Sequence, residues 1–168
     1  DYDLNTPWRL IASAAVVLNR RVIVSGEYEY VDYPSANVKD TYHGEYDWIR
    51  DFFKYNTRAA HNFRVGVEYR ANSLFSLRGG YSYNGSPYDK GDWNAENDIQ
   101  TLSTGLGFNF GSCYVDVAYL YKSATDTDYF YNYVDPNHAD NPTYHFSSDK
   151  IKTTSRNSEL RCSFGVKF

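Results

Sequence analysis

Seven stretches of this 168-residue chain alternate apolar and polar side chains with a period of two. That is the side-chain period of a β-strand, and a helix with one buried stripe cannot produce it. The stretches are Trp8 to Leu18, Arg21 to Tyr33, Asn62 to Arg70, Leu74 to Asn84, Thr101 to Phe110, Cys113 to Lys122 and Asn157 to Phe168. In the third, Phe63, Val65, Val67 and Tyr69 alternate with Asn62, Arg64, Gly66, Glu68 and Arg70. In the sixth, Val115, Val117, Tyr119 and Tyr121 alternate with Tyr114, Asp116, Ala118, Leu120 and Lys122. The expected fold is all-β, an antiparallel sheet in which each strand has one apolar and one polar face.

A soluble sandwich with one wet face also alternates. The connections decide between the two. Asn19-Arg20, Ala71-Asn72-Ser73 and Gly111-Ser112 are short, whereas about 34–58, 85–97 and 123–152 are long. Short turns at one end and long loops at the other are the pattern of an outer-membrane β-barrel, with periplasmic turns and extracellular loops. Strands of ~9–11 residues cross a bilayer when tilted. Aromatic residues make up 18% of the chain and Met is absent, yet mean hydropathy is only −0.65. Trp8, Tyr30, Phe63, Tyr83 and Tyr121 fall toward the long loops, and Tyr69, Phe75, Phe110 and Phe168 toward the short turns. Two such belts fit the two interfaces of a bilayer. The chain is therefore placed in the bacterial outer membrane, with lipid as a partner. The most apolar stretch, Leu10 to Leu18, is far short of the ~20 residues a membrane-spanning helix needs. With 17 basic against 21 acidic residues there is no basic excess for binding nucleic acid.

Asp1 opens a polar stretch without the features of a secretory signal. At the other end Leu160, Cys162, Phe164, Val166 and Phe168 alternate up to a terminal aromatic. Leu160, Phe164, Val166 and Phe168 look like the signal that the outer-membrane insertion machinery recognises. Seven is an odd count for a bacterial barrel, and a lone seven-stranded sheet has two open edges. Residues 1–168 are therefore read as the C-terminal portion of one barrel domain. Its edges would be covered by a missing N-terminal half or by a second copy.

The residues also resemble a family, the outer-membrane transporters of long-chain fatty acids and aromatic hydrocarbons of the FadL/TodX type. The resemblance lies in Thr6-Pro7-Trp8-Arg9, in Glu27 to Tyr33, in His61 to Arg70, and in Leu77-Arg78-Gly79-Gly80-Tyr81-Ser82-Tyr83 running to Pro87-Tyr88. Ser103 to Phe108, Val115 to Tyr119 and the terminal Phe168 continue it. It implies a fourteen-stranded barrel with an N-terminal hatch, of which this chain would be the C-terminal half. It also implies passive uptake of hydrophobic small molecules. No substrate-contacting residue carries over, because the hatch and the N-terminal strands lie outside this sequence.

The polar face collects Arg9, Glu27, Glu29, Arg64, Glu68, Arg70, Arg78, Asp116, Glu159 and Arg161, with Lys122 and Lys167. These lumen-facing charges fit a solvated ion-pair network. A second role, an Arg fork holding a substrate carboxylate, stays open. In the first loop Trp48, Ile49, Phe52, Phe53 and Tyr55 recur at helical spacing within Glu45 to Tyr55. They are expected to form a short helix, and either pack over the rim or offer an apolar lip to the ligand. Asp128 to Val134 and Thr143 to Ser148 are strand-like and predict a ribbon extending the last two strands, with Asp135-Pro136-Asn137 at its tip. Asp126, Asp128, Asp135, Asn137, Asp140 and Asn141 lack calcium-loop spacing, so no metal is expected. His43, His61, His138 and His145 fall in loops or near the outer rim, and no GxSxG, HExxH or P-loop motif occurs. No enzyme activity and no cofactor are expected. Cys113 and Cys162 face outward and unpaired. The leading function is passive uptake of hydrophobic molecules such as fatty acids or aromatics. The alternative is a structural or surface-interaction barrel whose extracellular loops bind a partner.

Overall fold

The computed structural model describes residues 2–40, 47–92, 94–134, 145–147 and 149–167. Seven strands form one antiparallel sheet. They are β2 (Arg9–Leu18), β3 (Val22–Asp32), β5 (Ala59–Arg70), β6 (Phe75–Asn84), β7 (Ile99–Asn109), β8 (Cys113–Tyr129) and β11 (Lys150–Val166). Each pairs with the next in chain order, and the sheet is open, with β2 and β11 as its edges. The seven expected strands are all present. Two short pairs lie beyond it: β1 (Tyr2–Asn5) with β4 (Asn37–Asp40), and β9 (Asn132–Val134) with β10 (His145–Ser147). One helix, α1 (Asp47–Asn56), sits in the first long connection.

The short connections turn as their residues require. Asn19 and Arg20 both have positive φ, 48° and 55°, and the Arg21 amide donates to the Leu18 carbonyl at 3.1 Å. Two successive left-handed residues are the hairpin geometry that matches strand twist. Asn72 Oδ1 accepts the Leu74 and Phe75 amides at 2.9 and 2.8 Å, closing the second turn as an Asx motif. Gly111, with φ 89°, makes the third.

The register keeps one face consistent across the strands. Val16 opposes Val24, Val24 opposes Val67, Val67 opposes Gly79, Leu77 opposes Leu106, and Leu106 opposes Val117. Cys162 opposes Val117 on this apolar face, and Cys113 opposes Val166 there, so the two thiols lie far apart along the strands and are free. Near the long-loop end the same face carries packed rings. Trp8 and Tyr30 centroids are 5.2 Å apart, Tyr30 and His61 5.5 Å, and Phe63 stacks on Tyr83 at 5.2 Å. Phe75 and Phe108 pair at 5.3 Å toward the other end. Phe168 lies outside the described residues, and Leu160, Phe164 and Val166 are exposed on the apolar face.

The third long connection is shorter than 123–152. β8 continues to Tyr129 and β11 starts at Lys150, paired Tyr129 to Lys150. The β7 ladder stops at Ala124, so beyond it the two strands run on as a ribbon, which β9 and β10 prolong with Tyr133 opposite Phe146. The expected tip, Asp135-Pro136-Asn137, lies outside the described residues.

The sheet encloses little. The accessible surface is 12211 Å², against about 8,500 Å² for a compact monomer of this mass. Among the described residues the buried apolar ones are Val31, Ala36 and Ala60. Both edge strands run from the long-loop end toward the short-turn end. At the short-turn end the Tyr114 ring lies over Gly165, in the space a Cβ would occupy. Gly165→Val should therefore expel the ring and cost about 1–3 kcal/mol of stability. Urea unfolding should show the loss, and a Tyr114→Ala background should shrink it.

Candidate functional site

The polar face is built in rows by the register. At mid-height Ala15, Ser25, Gly66, Gly80 and Ser103 lie side by side across five strands. Above and below this band of small residues the charges gather into two clusters. In the upper one Glu29 accepts from Arg9 at 3.5 Å, from Arg64 at 3.4 Å and from Asn62 at 3.3 Å, while Arg64 also bridges to Glu27. In the lower one Glu68 accepts from Arg70 at 2.7 Å and Arg78 at 2.9 Å, and Arg78 reaches on to Asp116 at 2.5 Å. Gly107 makes room for that last contact, since a Cβ there would stand 2.9 Å from Asp116 Oδ1 and 3.3 Å from the Arg78 guanidinium.

Each cluster holds two arginines and two carboxylates and is neutral. Arg64 and Arg78 each span two carboxylates, so their forks are engaged within the wall. Half-exposed pairs of this kind contribute up to about 1 kcal/mol each. Glu159 and Arg161 pair with each other at 2.6 Å on β11, apart from both clusters. Eight of the ten expected polar-face residues thus come together in two groups, and two stand apart. Lys167 donates to Asn109 at 3.3 Å.

The first long connection carries the expected helix, and its four apolar residues divide. Trp48 and Phe52 are 67% and 45% exposed. Ile49 and Phe53 are half-buried on the side that meets β4 and the 3-10 turn Tyr33–Ser35. Tyr55, at 68%, joins the exposed stripe at i, i+4, i+7 spacing, so the open aromatic face is Trp48, Phe52 and Tyr55.

The long-loop end is tied together by polar contacts. Thr57 bridges Tyr88, and Arg58 donates to the Ala95 carbonyl at 2.9 Å and the Ser86 carbonyl at 3.5 Å. Asn97 donates to Asp126 at 2.8 Å and accepts from Thr127 at 3.2 Å, so Asp126 serves as a loop anchor. Lys152 reaches Glu96 at 2.7 Å. Buried Thr57, Ser86 and Thr127 belong to this layer. His61 stands at its lower margin on the apolar face, 2.6 Å from the Tyr28 hydroxyl.

One feature was hidden by the expectation that every strand has a polar face. Arg9 and Ser13 mark that face of β2, yet Ile11, Ala15 and Val17 share it, and Ile23 of β3 stands opposite Val17. The signal in the sequence was the near-continuous apolar run from Leu10 to Leu18.

The Lys152 ammonium, as donor and as nearby charge, holds the Glu96 carboxyl below the ordinary carboxylate range. A depressed folded-state pKa gives a contribution fully present above the unfolded value and lost as pH falls through the folded one. The 85–97 loop should therefore stay tethered at neutral pH and loosen only in acid. NMR titration of Glu96 should give a low midpoint, and Lys152→Met should return it to the ordinary range.

No family model matches the sequence, and no curated protein matches it. Among solved structures the chain is similar to a Pseudomonas aeruginosa FadL homologue, with a TM-score of 0.62 over 94% of this chain at 16% identity. The chain spans 35% of that protein's length. The shared feature is the fold: this antiparallel sheet superimposes on part of an FadL-type barrel.

Proposed function

We propose that this chain is part of an outer-membrane channel that admits hydrophobic small molecules passively, with fatty acids and aromatics as the substrate class. The observation that carries the reading is the two-faced sheet. One face is apolar and unscreened by any packed layer among the described residues, and the other carries ions neutralised in place. Water on both sides would make the first face very costly, at roughly 25 cal/mol per Å². Lipid outside and a polar lumen inside fit both faces. The fold shared with an FadL homologue supports the same placement. Passage involves no chemical step in this reading, and no cofactor. Trp48, Phe52 and Tyr55 on α1 supply an apolar surface at the extracellular end where a ligand first lodges.

The open edges imply covering strands, because unpaired amides in hydrocarbon cost several kcal/mol each. Since β2 and β11 both run downward, an antiparallel ladder needs upward strands at both edges. A second copy turned about the barrel axis would bring β2 against β11 in parallel. The polarity therefore favours strands outside this sequence, odd in number, over a second copy.

Spin labels at Val65, Leu106 and Val117 should be quenched by lipid-soluble oxygen, and labels at Arg64, Gly105 and Asp116 should not. Equal quenching would sink the membrane placement. In cells carrying the full chain, Trp48→Ala with Phe52→Ala should slow uptake of a fluorescent fatty acid severalfold while leaving insertion intact. An unchanged uptake rate would favour the surface-interaction alternative, in which the loops bind a partner.

A further inference from the structure

On the apolar face of the seven strands, lysine and arginine are confined to one place. Among the described residues they are Arg156, Lys152 and Lys150, all on β11. Alternation puts them in line with Leu160, Phe164 and Val166. Their height follows from counting up each strand from the short-turn end. Tyr30, Tyr83 and Tyr121 are ninth on β3, β6 and β8, and Arg156 is eleventh on β11. In the reading proposed above, on which this inference rests, a tilted strand leaves the hydrocarbon after ~9–11 residues. The tyrosines then sit at the outer interface, and Arg156 stands one step above them, level with lipid headgroups. At the same count on β3 stands Asp32, which accepts from the Trp8 indole at 2.8 Å. Positive charge at this height therefore belongs to the β11 side alone.

Every arginine on the polar face of the strands holds a carboxylate. Arg156 is exposed and, among the described residues, pairs with none. No acidic side chain shares this face of β8 or β11. Ser123 stands directly opposite Arg156, and Thr154 and Ser158 flank it two residues away on either side. The Tyr119 hydroxyl lies 2.9 Å from Ser158 Oγ, which carries the polar row down to the aromatic belt. Farther out on the same line Lys152 reaches Glu96. A guanidinium with an open fork suits a phosphate, which it holds through two parallel hydrogen bonds while neighbouring hydroxyls donate to the remaining oxygens. Below it Leu160 and Phe164 are 68% and 69% exposed, an open strip for acyl chains. One line of side chains thus runs from apolar, through hydroxyl, to unpaired positive charge. That is the order of groups in a phosphorylated lipid. A strand covering the β11 edge would pair its backbone and leave this face open. We propose that the outward face of β8 and β11 binds a phosphorylated lipid of the outer leaflet, with Arg156 holding its phosphate.

The test uses the full-length protein in dodecyl maltoside, with bound lipid counted by native mass spectrometry. The probes are bisphosphorylated lipid A and its dephosphorylated form. The parent should prefer the phosphorylated form roughly tenfold, and Arg156→Gln should erase that preference. Arg156→Lys should keep only part of it, since an ammonium lacks the fork. Ser123→Glu sets a carboxylate opposite Arg156 and should compete with the phosphate. Lys90→Gln removes an exposed positive charge from the second long loop and should change nothing. Heat-modifiable electrophoretic mobility reports that each variant is folded. Equal binding of the two lipids by the parent, or a parental preference in folded Arg156→Gln, would overturn the site. If Arg156→Gln does not fold, a parental preference in Ser123→Glu would overturn it instead. Displacement of lipid A by millimolar inorganic phosphate would overturn the lipid as occupant and leave a site for a free anion. Binding is read in detergent and stands apart from transport, so a protein that takes up no hydrophobic molecule would fail the function proposed above and could still show this preference.

Discussion

The inter-strand ladder holds this molecule together, because little else can. Three buried apolar residues among the described ones do not make a core, and the accessible surface far exceeds that of a compact chain of this mass. Continuous antiparallel pairing from β2 to β11 fixes the register, and register decides which side chains share a face. A one-residue slip of β5 against β3 would bring Arg64 and Glu68 among the valines. The ladder and the two-faced pattern are thus one constraint seen twice. The edges, where the ladder is unfinished, are where the proposed membrane setting makes its strongest demand.

The polar face satisfies its charges locally. Glu29, 7% exposed, accepts from three side chains on β2 and β5. Such pairing lets a wall carry many ions without needing a ligand or a plug to neutralise them. It also narrows the choice left open by composition, in which an arginine fork awaited a substrate carboxylate.

Burial is concentrated at the long-loop end, where connections that would otherwise be independent are laced together. Arg58 links the first loop to the second, and Asn97 and Glu96 link the second to the ribbon of β8 and β11. A rim braced in this way presents the aromatic stripe of α1 on a fixed support, which suits either capture of a ligand or recognition by a partner.

The sequence by itself determined the strands, their faces and which connections are long, because period two and turn residues are local properties. It located α1 by the spacing of Trp48, Ile49, Phe52 and Phe53, and it named the charges of the wall. Only the tertiary structure decided which of those charges meet. Arg78 of β6 touches Glu68, directly opposite on β5, and reaches across β7 to Asp116 on β8, a matter of register over three ladders. It also divided the α1 residues between a packed side and an open one, since that depends on where β4 and the turn before it lie. The length of the β8–β11 ribbon was a pairing outcome too: Ser123 to Tyr129 has no strong alternation of its own and becomes strand because Lys150 to Arg156 lies opposite. The apolar residues on the polar face of β2 were legible in the sequence as part of the run from Leu10 to Leu18. That Ile11 stands opposite Glu29 and Val17 opposite Ile23 follows only from the pairing, because register joins residues that the chain keeps apart.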